Sequence, residues 1–168
     1  INAFKMLAQG SSHDDIEIVD LAKLVALVQE SYRNELSALN IDLVVSCEVV
    51  SLQTSARFIL KVLELLIENS IRHAFSAPCV STPTIEILLA QRDQVQIIYR
   101  DNGHGMSSDV INKLFEPFYT SKRSEGHIGL SASVLFNIVT LGLGGEISVK
   151  VGKQGGLEFQ INLPNHLI

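Results

Sequence analysis

The apolar positions along the chain fall into two periods. Leu21, Leu24, Val25, Val28, Tyr32, Leu36 and Leu39 recur at steps of three and four, the spacing of a helix buried along one side. Asp20 stands before them as an N-cap and Asn40 after them as a stop. A second helix is predicted over residues 56–74. There Phe58, Ile59, Val62, Leu63, Leu65, Leu66 and Ile67 cover most of the circumference, so this helix is sandwiched rather than laid on a surface. A third helix is predicted over 130–141, and a short helical piece ends at Phe115, with Pro117 as its breaker. Strands are expected at 16–19 and 41–47. Residues 84–89 and 95–100 alternate apolar and polar around Arg92-Asp93 and read as a hairpin, as do 146–151 and 157–163. Helices interleaved with hairpin-paired strands predict an α+β fold, an α/β sandwich. Its sheet is expected to be mixed and mostly antiparallel, covered on one face by about three helices.

Composition narrows the classes. The 168 residues suit one domain, and 46% hydrophobic with 18% charged residues describes a soluble globular chain. Net charge is −5 with no basic cluster, which argues against nucleic acid and against a polybasic membrane patch. Cys47 and Cys79 lie far apart outside any CxxC spacing. They read as reduced core thiols in a reducing compartment. No apolar run reaches the roughly 20 residues of a membrane span; the longest, 58–67, carries Lys61 and Glu64. Residues 1–9 look like the last turns of a preceding helix, stopped by Gly10-Ser11-Ser12, and the chain starts with Ile1 rather than Met. We expect a piece of a longer protein.

Three stretches carry chemistry. Asp101-Asn102-Gly103-His104-Gly105-Met106 follows a strand directly. Two glycines let the backbone turn tightly and approach a flat ligand, and a carboxylate there can accept from an exocyclic amine. A plain D-N-G turn is the alternative. Glu68-Asn69-Ser70-Ile71-Arg72-His73-Ala74 lies on the buried helix, where three- and four-residue spacing puts Asn69, Arg72 and His73 on one face. An amide oxygen suits Mg²⁺ and the basic groups suit phosphate; an internal hydrogen-bond cluster is the alternative. Finally, Leu114-Phe115-Glu116-Pro117-Phe118-Tyr119-Thr120-Ser121-Lys122 leads to Gly126-His127-Ile128-Gly129-Leu130-Ser131 at a helix start, where backbone amides can hold an anion.

In this order the stretches resemble the N, G1, F and G2 boxes of histidine kinase ATP-binding domains, which have the Bergerat (GHKL) fold. The resemblance is strong over roughly residues 60–150. It implies that residues 1–10 are the tail of the preceding dimerisation helix and 11–168 the ATP-binding catalytic domain. It further implies that Asn69 holds Mg²⁺ on the ATP phosphates, with Arg72 and His73 nearby. Asp101 would accept the adenine amine, with Gly103 and Gly105 admitting the ring. Thr120 and Lys122 would open the ATP lid, and Gly126, Gly129 and Leu130 would close it, with Phe115 and Phe118 packing its base. The implied partners are the protein's own dimerisation and phosphoacceptor domain and a response regulator receiver domain. The implied place is the cytoplasm, including the cytoplasmic portion of a membrane-anchored sensor. The parent is expected to be a homodimer and this piece a monomer that binds ATP without phosphorylating itself. His13 reads as a loop histidine, not the phosphoacceptor.

Three positions depart from the family pattern. Leu65 stands where the family often has Asn and where related ATPases carry a general-base Glu. A leucine cannot activate water, and Glu64 lies about 100° around the helix. A stand-alone ATPase is thereby disfavoured. Ser131 replaces a glycine, and the run before it is poor in glycine. Those features motivate the other rival, a degenerate interaction module without strong nucleotide binding.

Overall fold

The structure, a computed structural model, describes residues 16–76, 81–116 and 131–165. Strand β1 (Glu17–Asp20) turns at once into helix α1 (Leu21–Ala38). Asp20 caps it by accepting from the Lys23 amide at 3.3 Å, which satisfies one of the donors a helix start leaves open. Leu21, Val25, Val28 and Leu36 are buried. Leu39 departs from the predicted stripe: it lies past the last helical turn and is 47% exposed. Asn40 then takes a φ of 53°, the left-handed turn that commonly ends a helix.

After β2 (Asp42–Cys47) comes β3 (Ser51–Thr54), a strand the pattern did not announce. Its sequence, Ser-Leu-Gln-Thr, holds one large apolar residue and so shows no alternation. It pairs antiparallel with β1, Val19 opposite Leu52, and both of those residues are buried. Helix α2 (Ala56–Asn69) starts at Ser55, whose Oγ accepts from the Phe58 amide at 3.4 Å. Seven of its apolar side chains are buried. The predicted helix to residue 74 changes pitch at its end: Ser70–Ala74 form a π-turn. Helix α3 (Ser108–Lys113) is short, and α4 (Ser131–Asn137) likewise runs into a π-turn, Ile138–Gly142.

The main sheet adds β4 (Thr84–Gln91), β5 (Val95–Asp101), β6 (Glu146–Val151) and β7 (Leu157–Leu163) in the order β2-β4-β5-β7-β6. The β2–β4 pair is parallel, and the other three pairings in this sheet are antiparallel. A parallel pair needs a long crossover, which α2 supplies. Register sorts the two faces. Ile87, Tyr99, Phe159 and Val149 stand in one cross-strand row and pack in the core with α2 and α4. The next row, Glu86, Arg100, Glu158 and Lys150, faces away from the helices and alternates in sign. No described helix is long and apolar enough to cross a membrane.

That outer row holds a testable ion-pair network. Arg100 Nε donates to Glu158 Oε2 at 2.6 Å, and Lys150 Nζ lies 3.0 Å from Oε1. The Glu158 side chain is nearly enclosed. Its burial pushes the carboxyl up, but the bonds from Arg100 and Lys150 outweigh that and hold it below the usual carboxylate range. A depressed carboxylate adds stability that is present above its unfolded pKa and lost as pH falls through the folded value. Glu158→Ala is expected to lose about 1–2 kcal/mol at pH 7, modest because both cations keep contact with water. Denaturant unfolding at neutral pH and near pH 3 checks this: the gap between variant and parent should close in acid.

Candidate functional site

Strand β5 alternates, and its inward residues Val95, Ile97, Tyr99 and Asp101 are all buried. Three are core residues and the fourth is a carboxylate, left 6% exposed. Its surroundings account for it. Oδ1 accepts from the Gly103 amide at 3.0 Å and the Leu157 amide at 3.3 Å; Oδ2 accepts from Ser70 Oγ at 3.2 Å. Burial pushes the Asp101 carboxyl up, and these donors partly offset the shift. A carboxylate has about four acceptor positions. Among the described residues three donors fill them, which leaves one position on Oδ2 open.

The stretch after Asp101 is not a hairpin turn, since α3 follows it. It docks instead on the π-turn of α2. A Cβ on Gly103 would sit 2.4 Å from the Ala74 carbonyl oxygen, and the His104 amide donates to that same oxygen at 3.1 Å. Gly103 is therefore required by this backbone approach, a role the sequence did not reveal. Gly105 has φ +68°, the left-handed conformation expected of a turning glycine. His104 is exposed, its ring beside the Gly105 carbonyl and Ser76. Asn102 fixes the neighbouring strand end, accepting from the Thr84 amide at 2.7 Å.

Asn69 is the last residue of α2, half-buried. Its side chain makes no hydrogen bond to another described residue, so its amide oxygen is available. Leu65, one turn earlier, points into the core and is buried. Glu64 sits beside Lys61 at 3.2 Å, and Glu68 accepts from the Tyr32 hydroxyl at 3.3 Å. Burial, with Glu68 and Glu64 nearby, pushes the Tyr32 phenol up. The shared face predicted for Asn69, Arg72 and His73 assumed α-helical pitch, which stops at Asn69. Arg72 is exposed beside Glu68 at 3.8 Å, a pair loose enough to exchange for another anion. His73 is half-buried on the π-turn. Phe115 stacks on Phe136 of α4 with ring centroids 5.3 Å apart.

Several expected residues lie outside the described segments: Thr120, Lys122, Gly126, Gly129 and Leu130, together with Phe118, His13, His127, Cys79 and residues 1–10. Ser131 is exposed at the start of α4. Three residues of the site went unassigned in the sequence. Ser70 lies within the helix motif Glu68–Ala74; Tyr99 stands between the aliphatic Ile97 and Asp101 in the inward row of β5. Tyr99 donates to Ser70 Oγ at 2.8 Å. Gly156 is the third, with φ +63°; a Cβ there would lie 2.0 Å from the Asp101 carbonyl oxygen and 2.5 Å from Oδ1. A Gly-Gly pair before the last strand is a weak signal, because turns use such pairs routinely.

Among the described residues, an opening of about 160 Å³ lies at the end of β5, lined by Glu86, Arg100, Asp101, Asn102 and Lys153. Another of about 370 Å³ runs between α1 and β2. Neither is lined by Asn69 or Ser70. Among the described residues no three His, Cys, Asp or Glu side chains gather as a metal site. A cation at Asn69 would therefore draw its other oxygens from a ligand and from water, as Mg²⁺ often does.

Comparison with known proteins bears on the family and the fold. The family described as histidine kinase-, DNA gyrase B- and HSP90-like ATPases matches residues 54–167. The alginate biosynthesis sensor protein KinB of Pseudomonas aeruginosa is 27% identical over 163 residues, covering 96% of this chain and 27% of KinB. The chain thus spans about a quarter of that relative's length. Among solved structures, the nucleotide-free catalytic domain of histidine kinase ThkA is similar with a TM-score of 0.78 at 22% identity, covering 90% of this chain and 98% of that one. ThkA in complex with the response regulator protein TrrA is similar with a TM-score of 0.73 at 21% identity, covering 98% of this chain and 46% of that one.

Proposed function

Because the chain belongs to the family of histidine kinase-, DNA gyrase B- and HSP90-like ATPases, we propose that it is the nucleotide-binding half of a two-component sensor kinase. It holds Mg·ATP and presents the γ-phosphate to a histidine on the protein's own dimerisation domain. A response regulator receiver domain then takes the phosphoryl group. The observation that carries this reading is Asp101, buried at the end of β5 with one acceptor position open, bonded to the π-turn that directly follows Asn69. An aromatic amine fits the first residue and a phosphate-bound cation the second.

Each residue has a part in positioning. Asp101 accepts the adenine amine, and the Gly103–Gly105 backbone borders the ring. Asn69 offers its oxygen to Mg²⁺, which neutralises charge on the phosphates when bound. Arg72 exchanges Glu68 for phosphate, and His73 lies near it. Thr120, Lys122, Gly126, Gly129 and Leu130, in the segment joining α3 to α4, close the phosphate end. Leu65 favours transfer over hydrolysis, because the position one turn before Asn69 holds a buried aliphatic side chain where a hydrolase needs a base. The parent acts in the cytoplasm as a homodimer, and this chain alone is monomeric.

Calorimetric titration with a non-hydrolysable ATP analogue, with and without Mg²⁺, tests the reading. Saturable binding strengthened by Mg²⁺ is expected. Asn69→Ala should weaken it on the order of tenfold with Mg²⁺ and little without. No binding at millimolar nucleotide by the folded protein would overturn the proposal in favour of an interaction module. Radiolabel transferred from ATP to the isolated chain would overturn the division of labour between domains. Steady-state phosphate release abolished by Asn69→Ala would point to a hydrolase.

A further inference from the structure

We infer that Ser70 and Tyr99 are positioning and specificity-determining residues, a fixed hydrogen-bond relay that leaves Asp101 able to accept one donor and nothing else. The inference rests on the nucleotide reading above and adds two residues to it. Tyr99 and Asp101 are two apart on β5, so both face inward, and Ser70 of the π-turn bridges them. Tyr99 Oη lies 2.8 Å from Ser70 Oγ, and Ser70 Oγ lies 3.2 Å from Asp101 Oδ2. All three residues are buried.

The direction of the relay follows from the donors available. An ionised carboxylate only accepts, and a serine hydroxyl has one proton. Ser70 must spend that proton on Asp101, so the bond between Ser70 and Tyr99 has to be donated by the phenol. None of the three can rotate without stranding a buried polar group. Oδ1 is meanwhile occupied by the Gly103 and Leu157 amides. What remains is a single acceptor position on Oδ2, aimed by the relay. A purine with an amino group at that edge fills it. One with a carbonyl there brings acceptor to acceptor.

Removing the Ser70 hydroxyl opens a second position on Oδ2. Water can enter it and bridge a carbonyl as well as an amine. Selectivity for the amine should therefore fall even if the fold holds. A purely structural Ser70 would change stability and leave selectivity alone.

The experiment compares ATP with inosine triphosphate by calorimetry in the parent, Ser70→Ala, Tyr99→Phe and the double variant Ser70→Ala/Tyr99→Phe. The parent should prefer ATP on the order of 100-fold. Ser70→Ala and the double variant should cut that preference on the order of tenfold, mainly through weaker ATP binding. Tyr99→Phe, which keeps the Ser70 proton on Asp101, should cut it less. The double variant leaves no stranded phenol, so it supplies the measurement if Ser70→Ala does not fold. An ATP preference unchanged in the folded Ser70 variants overturns the relay and spares the nucleotide site. A parent that binds neither nucleotide overturns the site itself, and the relay with it.

Discussion

Asp101→Asn is expected to leave the fold in place and to weaken binding of an ATP analogue on the order of 100-fold. The amide has the shape of the carboxyl group, and its oxygen can keep both bonds at Oδ1, from Gly103 and Leu157. At the other corner a donor NH₂ replaces an acceptor. It meets the Ser70 hydroxyl and, in the open position, an incoming amine that is also a donor. Ligand binding thus loses a hydrogen bond to a desolvated charge and gains a repulsive contact. Stability responds differently. Burial raises the Asp101 carboxyl, and a group raised in the folded state contributes stability that is full below its unfolded pKa and lost as pH rises through the folded value. The asparagine variant should therefore gain on its parent between acid and neutral pH. Nucleotide binding by the parent runs the other way, failing as pH falls through that raised value. Calorimetry and denaturant unfolding between pH 4 and 8 separate the two trends. Parent-like affinity in Asp101→Asn would remove Asp101 from the site.

Gly156→Ala is expected to destabilise the protein by roughly 2–5 kcal/mol and to weaken nucleotide binding with it. Two penalties combine. The residue has φ +63°, and an added Cβ would lie 2.0 Å from the Asp101 carbonyl oxygen, a backbone atom that cannot swing aside. The turn between β6 and β7 would have to move, carrying the Leu157 amide away from Asp101. Gly144→Ala is the control. Its φ is +64°, but nothing lies within 4 Å of a Cβ there, so strain alone should take about 1–2 kcal/mol. Urea unfolding of both variants measures the difference. Equal losses would mean that crowding against Asp101 has no role.

Much of the fold was legible in the order of residues. The α1 stripe, with Asp20 and Asn40 at its ends, follows from local chemistry. So do the two hairpins, because alternation and turn residues are read within a few positions. The strand β3 was not legible: four residues with one large apolar side chain become a strand only when β1 lies beside them. The π-turns were equally hidden. A 3.6-residue period extends through Ser70–Ala74 on paper, and the pitch changes there where the Gly103 loop packs on Ala74 and Ser70 bonds to Asp101.

The site divides along the same line. Residue types and their order were enough to set Asn69, Asp101, Gly103 and Gly105 in a pattern that resembles a nucleotide site, and to show a leucine, Leu65, one turn before Asn69. These are one-dimensional facts about which groups are present and how far apart they stand. Tertiary structure alone decided that Gly103 makes room for a helix end, that Gly156 makes room for Asp101, and that Tyr99 and Ser70 fix which of its acceptor positions stays open. Each is a contact between segments distant in the chain. The reason is hydrogen-bond valence and atomic volume: a carboxylate has a set number of acceptor positions and a backbone oxygen a fixed radius. What fills them is known only once the strand, the helix end and the turn have met.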